Sequence, residues 1–198
     1  MLEVVVAYAW VEAALWTSGK AQAVCAAVAV LWVVFATLRS GRSARQLGIS
    51  SDGLRASWWI IPAALACSAG MLATASVYGT FHGLSGARTP PWHVVLYAMW
   101  ALVQEFLVQS FIFVRLEPAL RGGARAVFWT AVLFSVAHIP NPVLMPATFI
   151  FALLVCAAFR RYRNIYPLAF AHAMLGLTLA VSIPNVVTHY MHVGIAYF

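Results

Sequence analysis

Three ionisable side chains, Glu105, His138 and His172, lie inside three separate apolar segments of the chain. An ionised side chain in hydrocarbon costs about 2.5 kcal/mol or more, so such residues persist where they face a protein interior or a wet cavity. One carboxylate and two imidazoles can activate a water molecule and stabilise the charge that develops on a carbonyl oxygen. Two histidines and a glutamate are also a ligand set of catalytic zinc sites, although no HExxH motif is present. The residue types therefore predict a catalytic or metal site.

Further polar side chains accompany Glu105 on its own segment. Residues four apart share a face of a helix, so Glu105 and Gln109 project together, and Gln104 lies about 100° around the helix. We interpret Gln104 and Gln109 as a hydrogen-bonding cradle for the carboxylate and a water molecule. The alternative is that these amides only join neighbouring helices, as polar side chains often do in membranes.

The two histidines have neighbours of their own. Phe134 and His138 share a helical face directly before a proline-broken turn that contains Asn141. A lone histidine in a membrane segment can be a purely structural donor, but Glu105, His138 and His172 each need a polar partner, and for each of them the other two are the natural candidates. The remaining histidines are weaker candidates because they lie near a loop or in the C-terminal tail: His82, His93, His189 and His192.

The composition places these residues in a membrane. Of the 198 residues, 64% are hydrophobic and 9% are charged, and the mean hydropathy is +0.88. A soluble domain of this size cannot hide so much apolar surface, so we predict an integral membrane protein whose surroundings are the lipid bilayer. The formal net charge of +7 does not indicate a nucleic-acid partner, because the basic residues fall in short loops, where they orient helices.

Apolar segments suited to crossing a bilayer recur along the chain. A spanning helix needs about 20 apolar residues, or somewhat fewer when protein surrounds it. We predict an all-α polytopic membrane helix bundle of about seven transmembrane helices, with a single membrane domain over 1–198 and a catalytic-type core over 93–184. The polar segment 40–57 is expected to lie along the inner surface. The predicted helices are 2–17, 21–38, 56–80, 93–115, 124–139, 142–159 and 165–184.

The basic residues predict how the bundle is oriented. They are concentrated in the loops after the second, fourth and sixth segments, and the intervening loops hold only Lys20 and Arg88. Since positively charged loops stay on the cytoplasmic side, this alternation predicts an inside N-terminus and an outside C-terminus. We expect the plasma (inner) membrane of a prokaryote as the location.

Three stretches of the chain, in their order and spacing, resemble a known family. QEFLVQSFIFVRL, then FSVAHIPNP, then HAMLG are similar to the CPBP family of intramembrane proteases (CAAX protease and bacteriocin-processing, also called the ABI or type II CAAX prenyl protease family). That family carries Glu-Glu-x-x-x-Arg, Phe-x-x-x-His and His-x-x-x-Asn/Asp motifs on successive core helices. The resemblance covers about residues 93–180, and the second motif matches fully at Phe134 and His138.

The other two motifs match in part. Gln104 stands where the family has its first Glu, Gln109 where it has Arg, and Gly176 where it has Asn or Asp. The resemblance implies that the first Glu and the middle His activate a water molecule, while the last His and its Asn stabilise the oxyanion. Glu105 matches the second Glu, and is either the surviving catalytic acid or a supporting residue. Replacements for the missing Asn are sought among Asn141, Asn185 and the tail histidines.

The resemblance implies an intramembrane endopeptidase that acts on a membrane-anchored or lipid-modified (CAAX-like) protein or peptide. We expect Glu105 and His138 to activate the water and His172 to act as electrophile, with no cofactor; if zinc binds, these three residues are the expected ligands. The departures from the motifs leave a second reading, a non-catalytic CPBP-fold protein that binds a partner for immunity or maturation. A third hypothesis is a small transporter or channel. The absence of an inverted repeat in the sequence argues against it.

Overall fold

The computed structural model describes residues 1–83 and 92–198, and within these ranges the chain forms helices and no strands. The all-α prediction is confirmed. Arg88 of the predicted loop lies outside the described residues. The helices are α1 Leu2–Leu15, α2 Gly19–Arg39, α3 Ala44–Leu47, α4 Leu54–Ser57, α5 Ile60–Val77, α6 Trp92–Glu105, a π-helix Phe106–Phe113, α7 Val114–Ala119, α8 Gly123–Val136, α9 Leu144–Tyr162, α10 Tyr166–Ser182, α11 Asn185–Thr188, and two 3₁₀ turns, His189–Met191 and Gly194–Tyr197.

The predicted number of spans is not confirmed. Among the described residues, four helical runs are long and apolar enough to cross a membrane, and a fifth results if the pair bent by 120° at the end of α10 counts as one span. Helices α1 and α8 have 14 residues each, so each is about 21 Å long and shorter than a hydrocarbon core of about 30 Å. All seven predicted segments nevertheless coincide with helices. The four runs are Gly19–Arg39, Leu54–Val77, Trp92–Ala119 and Leu144–Tyr162.

The outer surface of the bundle is apolar. On α2, for example, Val30, Leu31 and Leu38 are 59%, 68% and 78% exposed. A contiguous apolar surface of this kind is stable only when it is covered, and lipid chains cover it in a bilayer. The described residues therefore form an integral membrane protein, as predicted.

The helices that carry the predicted site pack against one another. Helix α10 lies against both α5 and α6, and α8 lies against α9. The π-helix continues α6 without a break and contacts α8 and α9. Its Phe111 and Phe113 are fully buried, and Phe113 meets Phe159 of α9 edge to face at 5.8 Å between ring centroids. This core fixes the end of α6, where Glu105 lies.

The polar segment 40–57 is fastened to the bundle by buried hydrogen bonds. Asn164, between α9 and α10, donates to the carbonyl oxygens of Ser50 and Asp52 at 2.9 and 3.0 Å. Ser110 of the π-helix donates to the Leu47 carbonyl at 2.5 Å. Gly53 has a φ of +74°, and a Cβ there would stand 1.9 Å from a backbone oxygen of α9, so only glycine fits. The segment is therefore an ordered part of the helix packing.

Arg115 joins the first two helices to the core. Its Nε donates to Glu3 Oε2 at 2.6 Å, and its Nη2 donates to the Ala36 carbonyl at 2.9 Å. Its Nη1 donates to the Phe111 carbonyl at 3.1 Å, and the guanidinium lies 3.9 Å from the Phe111 ring centroid. The Arg115 side chain is 4% exposed, whereas that of Glu3 is 42% exposed. We call this set of contacts the Arg115 clamp.

Candidate active site

Glu105 and His172 are joined directly. Glu105 is the last residue of α6 and His172 lies in α10, and the distance from Glu105 Oε1 to His172 Nδ1 is 2.9 Å. The two residues are 1% and 8% exposed. An ionised carboxylate only accepts hydrogen bonds, so Nδ1 then carries the hydrogen. The bond fixes the imidazole orientation and leaves Nε2 as the ring nitrogen available to a reacting group.

Gln109 supports the same carboxylate. Its Nε2 donates to Glu105 Oε2 at 3.2 Å, as the four-residue spacing predicts, and its side chain is fully buried. Gln109 Oε1 has no partner among the described residues, so it remains an acceptor beside the carboxylate. Gln104 is half-buried, and no hydrogen bond joins it to Glu105 within the described ranges. The expected cradle is therefore formed by Gln109.

The π-helix begins immediately after Glu105. Such wide turns are rare and occur mostly as short insertions in α-helices, frequently at functional sites. This one carries Gln109 and Ser110, both with no exposed surface, inside the apolar stretch FLVQSFIF. The wide turn therefore holds the only two polar residues of its stretch inside the protein.

His138 follows α8 and presents one ring nitrogen. Its Nδ1 lies 2.7 Å from the carbonyl oxygen of Phe134, and since a carbonyl only accepts, Nδ1 carries the hydrogen. In the neutral ring Nε2 is then a lone-pair acceptor, which is the state of a general base. The Phe134 ring centroid lies 4.9 Å from that of His138 and 5.8 Å from that of His172. The Phe134 ring therefore lies beside both imidazoles.

A hydrogen bond joins Glu105 to His172 and not directly to His138, whereas the sequence left both histidines open as partners of Glu105. The reason is the different position of the two histidines on their helices. His172 projects from the middle of α10 toward α6, whereas His138 follows the end of α8 and its Nδ1 is used by the preceding turn. Both histidine rings lie beside Phe134, but only His172 binds the carboxylate directly.

Asn141, considered above as a replacement for the missing Asn of the third motif, is bonded to other parts of the chain. Its Nδ2 donates to the carbonyls of Thr188 and His192 at 2.7 and 3.0 Å. Its Oδ1 accepts from the backbone N–H groups of Val143 and Leu144, at the start of α9. All its hydrogen-bonding groups hold the turn and the C-terminal tail together. None of these bonds reaches Glu105 or His172.

The weaker histidine candidates are also engaged elsewhere. His82 Nε2 lies 3.0 Å from the Ile183 carbonyl, and the His93 ring stacks on Trp92 at 3.8 Å between centroids. In the tail, the His189 ring stacks on Tyr197 at 4.1 Å, and His192 lies near Tyr190 with 6.2 Å between ring centroids. The hydrogen bonds of the described residues connect none of the four to Glu105.

Tyr97 is a residue of this region that the sequence interpretation missed. A Cβ added to Gly176 would stand 1.9 Å from the Tyr97 hydroxyl oxygen, so the phenol occupies the space beside Gly176. Gly176 follows His172 by four residues on α10, and Tyr97 precedes Glu105 by eight on α6. A tyrosine in an apolar helix gives no local signal that its hydroxyl lies against a glycine of another helix. The four-residue spacing of Tyr97, Ala101 and Glu105 is the one pattern that suggests a shared face.

A metal site would require three ligands to converge. Within 1–83 and 92–198, no three His, Cys, Asp or Glu side chains are arranged to hold a metal ion. Glu105 Oε1 and His172 Nδ1 are bound to each other, and His138 Nδ1 is bound to a backbone carbonyl. The donor atoms that remain are His138 Nε2, His172 Nε2 and Glu105 Oε2.

The comparisons with known proteins agree with the resemblance found in the sequence. The family model described as Type II CAAX prenyl endopeptidase Rce1-like matches residues 86–178, which contain all three predicted motifs. The match is consistent with the CPBP family and indicates a membrane-embedded peptidase in general terms. No curated protein and no solved structure matches the chain.

Proposed function

Since residues 86–178 match the type II CAAX prenyl endopeptidase family, we propose that this chain is an intramembrane endopeptidase. Its substrate is a membrane-anchored or lipid-modified, CAAX-like, protein or peptide. The single observation that supports the site best is the 2.9 Å hydrogen bond between Glu105 and His172, buried in an apolar bundle with His138 nearby across Phe134. A carboxylate and two oriented imidazoles are what water activation and oxyanion stabilisation require.

In the proposed mechanism, Glu105 and His138 hold the attacking water. Glu105 Oε2 accepts one hydrogen bond, from Gln109, and keeps lone pairs for a water molecule. His138 Nε2 accepts the proton of that water as its oxygen bonds to the peptide carbonyl carbon. The proton then passes to the leaving nitrogen as the C–N bond breaks, so the protonation state of the site is restored.

His172 acts on the other side of the carbonyl group. With one proton shared between Glu105 Oε1 and Nδ1 and a second on Nε2, the imidazole donates from Nε2 to the developing oxyanion. The Glu105 charge stabilises this protonated pair because the two groups are almost fully shielded from solvent. Gln109 keeps the carboxylate in place, which assigns it a positioning role.

Peptide hydrolysis is tested by comparing membranes that contain the wild-type protein with membranes that contain a Glu105→Ala variant. Mass spectrometry of protein termini should show a new terminus on a lipid-anchored protein only in the wild-type sample. A purified substrate of that sequence should then be cut in proteoliposomes. Identical termini in both samples, with both proteins present at equal levels, would contradict the proposal.

The non-catalytic alternative is favoured by the departures at Gln104, Gln109 and Gly176. A protein of this kind would bind a membrane partner for immunity or maturation. Its effect in cells would survive Glu105→Ala, provided the variant is folded and present in the membrane. The same pair of samples therefore separates the two functions.

We predict that cleavage needs no metal ion. The reason is that Glu105 and His172 bind each other, and Gln109 completes the environment of the carboxylate without adding a further anionic or imidazole ligand. Purified protein should retain its activity after treatment with a strong chelator, and elemental analysis should find less than stoichiometric zinc. Zinc at about one ion per chain, lost together with activity on chelation and regained on adding it back, would contradict this and make Glu105, His138 and His172 the ligands.

We predict that the N-terminus is inside and the C-terminus outside, in the plasma (inner) membrane of a prokaryote. Single cysteines at Ser43 and Arg161 should be protected from an impermeant thiol reagent in intact cells, and one at His192 should react. All three positions are exposed in the structure, so each should react once the membrane is dissolved. Labelling at Arg161 with protection at His192 would reverse the orientation. The background must lack the native Cys25, Cys67 and Cys156.

A further inference from the structure

The contact between α6 and α10 is lined by a short series of residues from each helix. On α6, Tyr97, Ala101 and Glu105 follow one another at four-residue intervals, and Ala101 and Glu105 are 0% and 1% exposed. On α10, His172 and Gly176 are also four residues apart and share a face. The Glu105–His172 hydrogen bond shows that these two faces meet. We call this line of contact the α6–α10 seam.

Tyr97 reaches the backbone of α10 along this seam. A Cβ on Gly176 would stand 1.9 Å from the Tyr97 hydroxyl oxygen and 2.9 Å from its Cζ, so the phenol needs glycine at this position. The φ of Gly176 is not in the left-handed region, so its backbone would accept other residues. The glycine is therefore required for the space it leaves and not for its conformation. That space is filled by a hydroxyl group one helical turn from His172.

Packing alone explains the ring of Tyr97 but not its hydroxyl. A half-buried phenol in an apolar bundle usually finds a hydrogen-bond partner for its O–H. No hydrogen bond joins the Tyr97 hydroxyl to another of the described residues, whereas on the same seam Glu105 is bonded to both Gln109 and His172. Phenylalanine would fill the same groove without this unpaired donor. The hydroxyl is thus a donor that the protein itself does not use.

We propose that the Tyr97 hydroxyl donates a hydrogen bond to the carbonyl oxygen of the peptide bond that is cut. This rests on the proposed endopeptidase function. As water adds to the carbonyl carbon, the C=O π electrons move onto the oxygen, where the Tyr97 O–H and the His172 Nε2–H both donate to it. Tyr97 keeps its proton throughout, and the water proton reaches the leaving nitrogen through His138. Two donors to one oxyanion form the usual arrangement in acyl-transfer sites.

The test uses two substitutions that remove the same hydrogen bond in different ways. Tyr97→Phe deletes the hydroxyl oxygen alone, and Gly176→Ala pushes the phenol away with a single methyl group. Gly70→Ala is the matched control, because Gly70 is also in a helix and a Cβ there would meet nothing within 4 Å. All variants are purified, their melting temperatures are compared, and the cleavage of a quenched fluorescent prenylated peptide with a CAAX ending is measured for kcat and KM.

We expect Tyr97→Phe to lower kcat by about 10²-fold with little change in KM, since the lost hydrogen bond becomes strong only as negative charge develops on the carbonyl oxygen in the transition state. Gly176→Ala should lower kcat similarly, and the double variant should be no worse than the poorer single variant, because both remove one interaction. Gly70→Ala should match the wild type. A Tyr97→Phe variant with wild-type kcat, while Glu105→Gln is inactive, would overturn the role of Tyr97 and leave the endopeptidase function intact. A wild-type protein that does not cut the peptide would overturn both.

Discussion

Replacing Glu105 with glutamine is expected to abolish peptide cleavage while the helix bundle stays folded. Glutamine has the same shape and can still bond to His172 and Gln109, so the packing of α6 against α10 is preserved. It carries no negative charge, so it neither supports a protonated His172 nor orients a water molecule for deprotonation. Losing a group of this kind costs about 10²–10⁴-fold in rate. Glu105→Ala and His138→Ala should lose activity to a similar extent.

The measurement is the initial rate of cleavage in proteoliposomes, together with a thermal melt of each variant in detergent. Glu12→Gln is the matched control, because Glu12 is also an acid within an apolar helix but has no bond to the site among the described residues. The tail variants His189→Ala and His192→Ala should likewise keep nearly full activity. Normal cleavage by a folded Glu105→Gln protein would refute the catalytic role of Glu105. An inactive His192→Ala protein would indicate that the C-terminal tail forms part of the active site.

Replacing Arg115 with methionine is expected to lower the free energy of unfolding by about 2–3 kcal/mol. Breaking a buried ion pair by removing one partner costs about 3–5 kcal/mol, and the cost is smaller here because the Glu3 side chain is 42% exposed. Methionine also leaves the carbonyl oxygens of Ala36 and Phe111 without their donor. The loss should appear as a lower melting temperature in detergent.

Two further variants show whether the Arg115 clamp is the cause. Adding Glu3→Gln to Arg115→Met should recover part of the stability, because it removes the carboxylate that is left without a partner. Arg39→Met is the matched control, since Arg39 is exposed at the end of α2 and forms no ion pair with a described residue. If the Arg115→Met variant has the same melting temperature as the wild type, the contacts of Arg115 do not hold α1 and α2 to the core.

Part of this site follows from the sequence because charge is costly in an apolar segment. Glu105 and His172 are conspicuous for that reason, and the four-residue spacing correctly predicts the bond between Glu105 and Gln109. The choice of partner for Glu105 depends on how each helix is rotated and where it ends, and hydropathy carries no information on either. The sequence therefore left His138 and His172 both open as the partner of Glu105, and in the structure the partner is His172.

Other features leave a weak signal in the sequence or none. Arg115 looks like a loop charge because it stands at the end of an apolar stretch, yet its side chain is buried. Gly176 matters through the side chain it lacks, which makes room for Tyr97 from a helix nearly 80 positions away along the chain. No residue type favours the π-helix, so Phe106–Phe113 reads as ordinary α-helix. Hydropathy alone does not determine the number of membrane spans, because α1 and α8 are apolar but short.

The Arg115 clamp can form only late in the synthesis of the protein. Glu3 leaves the ribosome 112 residues before Arg115, and Ala36 leaves 79 residues before it. Helices α1 and α2 are therefore in the membrane while their partner is still untranslated, and contacts this distant along the chain form slowly. A nascent chain that stops before Arg115 has a free carboxylate and open carbonyl groups at one end of these helices. Its first two helices are held to each other but lack the bonds that fasten them to the later core.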